Sequence, residues 1–222
     1  TKNVIGKDYV CSDIHGHFSI LENALASVGF DERCDRLFSL GDLIDRGDES
    51  CLALEWLAKP WFFAIQGNHE RMLINTLERQ SEVTRHQWMM WGGDWAEDMS
   101  YQDLQPFYDA FAKLPIAIEI ELPDGKRVGL VHAELTDTCD WRHIKELLQS
   151  LSPMDVEHNL EVGNMLWFKN QPYLSAEHRE RVQPVMNIDH VFHGHTIVED
   201  YLTITNRTFM DLGVYKTGRI GL

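Results

Sequence analysis

The sequence has no long hydrophobic run and no excess of basic residues. Its longest apolar segments are far shorter than the roughly 20 residues that cross a bilayer, so it predicts no membrane partner. The formal net charge of −15 at pH 7 disfavours nucleic-acid partners, since these need a basic surface. The same charge is no argument against divalent cations, which carboxylates bind well.

The sequence also lacks a Cys-x-x-Cys pair among its four cysteines, Cys11, Cys34, Cys51 and Cys139. A chain of 222 residues can bury a core that needs no disulfide, so we expect reduced thiols, mostly in the core. Residues 1–7 contain no hydrophobic stretch of signal-peptide length. These features predict a cytoplasmic protein, and the lack of linkers or repeats predicts one domain over residues 1–222.

The first third of the chain alternates between strand and helix patterns. Apolar segments at 8–11, 37–40 and 61–65 predict strands, and each is followed by residues with helical spacing. Such alternation is typical of a parallel sheet with right-handed crossovers. It predicts the α/β class.

A second sheet is predicted later in the chain, after a helical and aromatic segment at 81–113. Segments 116–122 and 127–131 flank a Pro-Asp-Gly turn and predict a hairpin, and 190–192 predicts a further strand. Short β segments close the chain. The span 136–184 predicts helices and loops that cover one side of the site.

Polar residues follow directly after most of these predicted strands. They are Asp13 and His15, then Asp42, Asp45 and Arg46, then Asn68 and His69, then His132, and finally His193 or His195. The carboxyl ends of parallel strands lie along one edge of a sheet, so we expect these side chains to converge.

The mixture of carboxylate, amide and imidazole ligands suits manganese, iron or zinc. Six such ligands are too many for one ion with an open position, whereas a central aspartate can bridge two ions. Two ions about 3.5–4 Å apart can hold a hydroxide and clamp a phosphoryl group. The pattern therefore predicts a dinuclear metal centre that hydrolyses phosphoesters by direct in-line attack.

These motifs resemble, in order and spacing, the phosphoprotein phosphatases of the calcineurin-like metallophosphoesterase superfamily, and among them the bacterial and phage lambda-type branch. The resemblance rests on Asp13-x-His15-Gly16, Gly41-Asp42-x-x-Asp45-Arg46-Gly47, Gly67-Asn68-His69-Glu70, His132 and Gly194-His195. It covers nearly the whole chain. It implies an αββα sandwich of two mixed β-sheets flanked by helices.

The resemblance also implies a role for each residue of the site. Two divalent metal ions, manganese first and iron or zinc as alternatives, would be held by Asp13, His15, Asp42, Asn68, His132 and His195, with Asp42 bridging. His69 would be the general acid, oriented and kept protonated by Asp45. Arg46 and Asn68 would bind the substrate phosphate. The implied activity is hydrolysis of phosphoserine and phosphothreonine in proteins, extending to phosphotyrosine.

The sequence departs from the family pattern at three places. Ser12 replaces a glycine before the first ligand, and Ala133-Glu134 replace two glycines that animal-type members carry. Where a second phosphate-binding arginine is expected, the chain has Lys169, which keeps the charge and loses the two-pronged fork. Arg179 could substitute for it.

Two other functions compete with this hypothesis. A symmetrical dinucleoside polyphosphate hydrolase is a close alternative, although that branch more often has aspartate where this chain has Glu70. A non-catalytic phosphoprotein-binding adaptor would have lost part of the ligand set, which is intact here. We interpret Glu70 as structural, and the tryptophans at 88, 91 and 95 as core residues.

Overall fold

The computed structural model describes residues 2–136, 139–152, 156 and 158–222. Its first sheet has three parallel strands in the order β1-β2-β3, namely β1 (Asp8–Cys11), β2 (Arg36–Ser39) and β3 (Phe62–Ala64). These bounds confirm the three predicted strands to within a residue or two. The parallel pairing is the one that strand–helix alternation predicts.

Helices α1 (Phe18–Ser27), α2 (Ala53–Leu57) and α3 (Asn68–Arg79) connect or follow these strands. A short 3-10 turn, Ser50–Leu52, precedes α2. One face of α1 is apolar and buried, and its chain turns at Gly29, which has the left-handed φ of 68° that glycine adopts readily.

The predicted helical segment after α3 contains α4 (Glu82–Met90) and α5 (Tyr101–Phe111), with a 3-10 turn at Gly93–Ala96 between them. The hydroxyls of Ser81 and Ser100 cap the two helices by accepting backbone N–H groups.

The second sheet has five strands in the order β4-β5-β6-β8-β7. They are β4 (Ala117–Glu121), β5 (Arg127–Val131), β6 (His190–His193), β7 (Leu202–Ile204) and β8 (Arg207–Phe209). The predicted hairpin β4-β5 and the pair β7-β8 are antiparallel, while β5-β6 and β6-β8 are parallel, so this sheet is mixed.

The remaining helices follow β5 and β8. They are α6 (Trp141–Ser150), α7 (Leu160–Trp167), α8 (Ala176–Arg179) and α9 (Val214–Thr217), with a 3-10 turn at Gln171–Tyr173. Within the predicted helix-and-loop span 136–184, residues 137–138, 153–155 and 157 lie outside the described residues.

Three apolar layers hold the sheets and helices together. Side chains such as Phe38 and Leu40 of the first sheet pack against Ile120 and Leu130 of the second. The outer face of the first sheet packs on α1 to α5, and the second sheet packs on α6 and α7. The order helix, sheet, sheet, helix confirms the predicted αββα sandwich.

The cysteine prediction is partly wrong. Only Cys11 is buried; Cys34 and Cys139 are partly exposed and Cys51 is exposed, although all four are free thiols. Cys51 lies in the turn before α2, where the chain needs no apolar side chain. Among the described residues, no helix has the length and apolar character needed to cross a membrane.

The apolar face of α1 should dominate the stability of the first layer. Phe18 is fully buried, and its ring stacks on Trp56 at 5.2 Å between centroids. We expect Phe18→Ala to lower the free energy of unfolding by roughly 3–5 kcal/mol, because it leaves a cavity in a packed core. Denaturant unfolding measures this. Val83→Ala at an exposed position of α4 is the control and should change it by less than about 0.5 kcal/mol; equal effects would contradict the assignment.

Candidate active site

The predicted site residues lie at the carboxyl ends of β1, β2, β3, β5 and β6, in loops except for Asn68 and His69, which begin α3. Several of them have a left-handed backbone, which non-glycine residues seldom adopt. They are His15, Asp42, Asp45, Arg46 and His195, with φ between 45° and 75°. Such conformations cost free energy, and they concentrate at functional sites.

Glu70 ties the loops after β2 and β3 together. Its buried carboxylate accepts hydrogen bonds from the backbone N–H groups of Asp42 (2.9 Å), Leu43 (2.8 Å) and Gly67 (2.8 Å). Gly41 lies so close to the second loop that a Cβ there would be 2.5 Å from the nitrogen of Gly67. Glu70 is therefore structural, as expected, but it positions the site directly.

Asp42 is the centre of the cluster. Its Oδ2 lies 3.5 Å from Nε2 of His15, and its Oδ1 lies 3.5 Å from Nε2 of His132. Two groups of possible metal ligands share Asp42: one with His15 and His69, the other with His132 and His195. A carboxylate shared by two groups matches the predicted bridging position.

The histidines present their free nitrogens to this centre. Nδ1 of His15 donates to the carbonyl of Ile44 (3.1 Å), and Nδ1 of His132 donates to that of Leu40 (2.7 Å). Each bond fixes the tautomer and leaves Nε2 as an electron-pair donor near Asp42. In His195 the two nitrogens exchange roles. Nε2 donates to the carbonyl of Trp167 (3.2 Å), and Nδ1 is left as the electron-pair donor.

Asp13 and Asn68 complete the donor set. Both carboxylate oxygens of Asp13 accept the backbone N–H of His195, at 3.0 and 3.1 Å, and one lies 4.0 Å from Nε2 of His15. The amide oxygen of Asn68 lies 2.9 Å from Nε2 of His132. All six predicted ligands are thus brought together.

The electrostatics of the cluster fit divalent cations. Burial raises the pKa of Asp42 well above its ordinary value, and Glu70 raises it further. Burial, with the neighbouring Asp211 and Asp42, does the same to the pKa of Asp13. Buried carboxylates beside unprotonated imidazoles form a site that favours positive charge, and oxygen and nitrogen donors of this kind suit the predicted metals.

His69 and Asp45 form the predicted pair. Nδ1 of His69 lies 2.7 Å from Oδ2 of Asp45, and both side chains are buried. Burial, followed by the charge of Arg46, lowers the pKa of His69 well below its ordinary value, which opposes the effect expected of Asp45. Asp45 orients the ring through Nδ1, and the protonated state of His69 stays a prediction. Burial also raises the pKa of Asp45 to about 7.

Arg46 contacts the histidines of the site. Its two terminal nitrogens donate to Nε2 of His15 (2.6 Å) and to Nε2 of His69 (2.9 Å), and its guanidinium lies 4.3 Å from the ring centroid of Tyr215. A nitrogen lone pair accepts one partner, so this bond at His15 and metal coordination by the same atom exclude each other.

Lys169 is exposed. Burial is the main cause that lowers the pKa values of His69, His132 and His195, and the positive charge of Lys169 adds to it. The alternative cation, Arg179, donates to the carbonyl of Pro172. The position of Lys169 near three site histidines favours it over Arg179 as the partner of a bound phosphate.

Sequence reasoning missed four further residues around the cluster. Asp211 is buried beside Asp13, and Tyr215 packs on Arg46 and His15. The indoles of Trp88 and Trp95 bond Asp45. The Asp-x-Gly turn after β8 was a possible signal for Asp211. His193, the alternative to His195, stacks on Phe209 within the sheet and belongs to neither ligand group.

The chain belongs to the calcineurin-like phosphoesterase family, whose sequence profile matches residues 9–199. It is 30% identical over 217 residues to serine/threonine-protein phosphatase 2 of Escherichia coli (strain K12), an alignment that covers 96% of this chain and 89% of that protein.

Two solved structures have the same fold. One is a protein serine/threonine phosphatase from Saccharomyces cerevisiae with similarity to human phosphatase PP5, with a TM-score of 0.61, 16% identity, and coverage of 94% of this chain and 70% of that one. The other is a candidate diadenosine tetraphosphatase, with a TM-score of 0.61, 17% identity, and coverage of 99% and 89%. At such identities the likeness shows the fold alone.

The three hydrogen bonds that Glu70 accepts give a direct test of what holds the loops of the site together. In Glu70→Gln one acceptor oxygen becomes an N–H₂ donor that faces backbone donors. We expect unfolding to become easier by about 1–3 kcal/mol, because buried N–H groups lose their partner. Thermal unfolding checks this. Glu49→Gln, which changes a partly exposed acceptor of the Ser19 N–H, is the control, and an equal loss in both would contradict the role of Glu70.

Proposed function

We propose that this protein is a metal-dependent protein phosphatase that hydrolyses phosphoserine and phosphothreonine, and by extension phosphotyrosine. The observation that carries the proposal is the arrangement around Asp42, where three histidines each direct the ring nitrogen that is not bonded to a backbone carbonyl toward one shared carboxylate. The similarity to the bacterial serine/threonine-protein phosphatase supports the substrate class.

In this proposal Asp13 and His15 would hold one divalent ion, Asn68, His132 and His195 would hold the other, and Asp42 would serve both. When bound, the two ions supply a water nucleophile activated at neutral pH and positive charge for the phosphoryl oxygens. Manganese is our first choice, with iron and zinc as alternatives.

His69 is the proposed general acid. Asp45 bonds its Nδ1, so the ring presents Nε2 to the space beside Asp42, 3.9 Å from Oδ2. Arg46 donates to Nε2 in this arrangement, so the acid proton occupies Nε2 only when the guanidinium turns away. The Asp45 carboxylate accepts from Nδ1–H and stabilises the imidazolium formed when Nε2 takes up a proton, and that proton then passes to the leaving oxygen. In this proposal the pair therefore has one joint role.

Three side chains of the proposed site can bind the phosphate group. Arg46 offers its planar fork, Lys169 a single mobile ammonium, and Asn68 its amide N–H₂. Arg46 serves the phosphate only when its guanidinium turns away from His15. Its stacking on the ring of Tyr215 leaves such a rotation within reach, because a cation over a ring face has no fixed hydrogen-bond direction.

The alternative activity is hydrolysis of symmetrical dinucleoside polyphosphates. The fold shared with a candidate diadenosine tetraphosphatase permits it, and Glu70 weakly disfavours it. The adaptor alternative is disfavoured because every proposed ligand is present and in place. One domain over residues 1–222 and a cytoplasmic location also stay predictions; the family match over 9–199 supports the first.

Metal dependence and the acid can be tested together. We expect metal-stripped protein to hydrolyse p-nitrophenyl phosphate only after manganese is added, and His69→Asn to lower kcat for a phosphoserine peptide by roughly 10²–10⁴-fold, the usual contribution of a general acid. Bound metal, measured by elemental analysis, should be unchanged in the variant, because His69 is not a proposed ligand.

Asp42→Asn is the matched variant, since it should lose both metal and activity. Faster turnover of diadenosine tetraphosphate than of phosphopeptide would favour the alternative enzyme. Full metal loading without turnover of any phosphoester would favour the adaptor.

Lys169 provides a separate test of phosphate binding. We expect Lys169→Ala to raise KM for p-nitrophenyl phosphate by roughly 3–10-fold, because an exposed ammonium contributes part of a charge-assisted hydrogen bond. Lys169→Arg should keep KM or lower it. Lys145→Ala, which removes an exposed lysine paired with Glu119, is the control. An unchanged KM in Lys169→Ala would remove this residue from the phosphate site.

A further inference from the structure

Both carboxylate oxygens of Asp45 are held by tryptophan. The indole N–H of Trp95 donates to Oδ1 at 2.7 Å, and that of Trp88 donates to Oδ2 at 2.8 Å. Oδ2 also bonds Nδ1 of His69 at 2.7 Å, and the backbone N–H of Asp45 donates to the hydroxyl of Ser50. Each oxygen of this fully buried carboxylate therefore has a directed partner.

The segment that carries the two indoles is shaped around the neighbouring residues. Arg46 donates its backbone N–H to the carbonyl of Gly92 at 2.7 Å. A Cβ on Gly92 would lie 2.6 Å from the side chain of Arg46, and one on Gly93 would lie 2.7 Å from the ring of Trp88. The two glycines let the 88–95 segment approach the loop that carries Asp45 and Arg46.

A packing role alone does not account for this arrangement. Trp88 is buried, but Trp95 is only partly so, and the two rings meet edge to face at 6.1 Å. Phenylalanine would fill most of the same space. What the indoles add is two N–H donors aimed at the two oxygens of one carboxylate.

We infer that Trp88 and Trp95 are positioning residues for the general acid: they fix the plane of the Asp45 carboxylate, and the carboxylate in turn fixes the ring of His69. This inference rests on the proposed function, because it assigns His69 the transfer of a proton to the leaving oxygen. It adds a role to two tryptophans that also belong to the core, as predicted from the sequence.

The effect on kcat of removing either indole N–H should depend on the leaving group of the substrate. The alkoxide of serine is a poor leaving group that needs a proton as the P–O bond breaks, whereas p-nitrophenolate leaves readily without one. Loss of an indole N–H lets the carboxylate rotate, and the ring of His69 then loses its alignment. Phosphate binding depends on other residues, so KM should change little.

The test compares Trp88→Phe and Trp95→Phe in the metal-loaded full chain on a phosphoserine peptide and on p-nitrophenyl phosphate. We expect each variant to lower kcat for the peptide by roughly 10-fold, and kcat for p-nitrophenyl phosphate by less than about 3-fold, with KM unchanged. Trp56→Phe is the matched control, since Trp56 is buried in the same apolar layer and its ring stacks on Phe18.

A second readout does not depend on activity. In the full chain loaded with zinc, which is diamagnetic, the indole N–H signals of Trp88 and Trp95 should exchange slowly with solvent. Asp45→Asn should shift both signals strongly and leave those of Trp56 and Trp61 in place. A packing role without these two hydrogen bonds would predict no such selective shift.

The outcomes separate the two proposals. Equal losses on both substrates, or losses matched by Trp56→Phe, would overturn the positioning role while leaving the phosphatase proposal intact. A His69→Asn enzyme that keeps full activity on the peptide would overturn the general acid itself. Indole signals unchanged in Asp45→Asn would overturn the hydrogen bonds on which the inference rests.

Discussion

The site depends above all on one buried carboxylate that is not itself a proposed ligand. Glu70 accepts three backbone N–H groups from two loops, and these loops carry Asp42, Asn68 and His69. A charged acceptor with three donors is much stronger than three separate neutral bonds. This contact fixes the two loops relative to each other. Glu70 is fully buried, so solvent cannot replace its three partners, and the same burial raises its pKa to about 7.

Around this contact the protein buries several acidic side chains. Asp13, Asp42, Asp45 and Asp211 are all buried within the same region, and Arg46 is the nearest cation held by hydrogen bonds inside it. Like charges at such proximity raise each other's pKa values. The divalent ions that this family uses would offset the negative charge of these carboxylates. A phosphate dianion would in turn offset the positive charge of the ions.

Much of the fold and most of the site could be predicted from the sequence, because strand tips followed by Asp, His and Asn are local patterns. Thus β1 to β3, the hairpin and all six proposed ligands lie as predicted. What could not be predicted depends on distant contacts. Trp88 and Trp95 have the spacing of core residues, and only the tertiary approach of their segment to Asp45 gives their N–H groups a partner. The lowering of the pKa of His69 could not be predicted either, because it depends on burial and on Arg46, which the pair with Asp45 does not reveal.

The left-handed residues of the site have a consequence for its tolerance to change. His15, Asp42, Asp45, Arg46 and His195 each hold a backbone conformation that costs roughly 1–3 kcal/mol, most of all for the bulkier side chains. Glycine at these positions would relax the backbone while removing a proposed ligand or a proposed catalytic group. Substitutions that raise stability at these positions should therefore lower activity. Selection for thermal resistance alone would replace these site residues one after another and leave the two sheets unchanged.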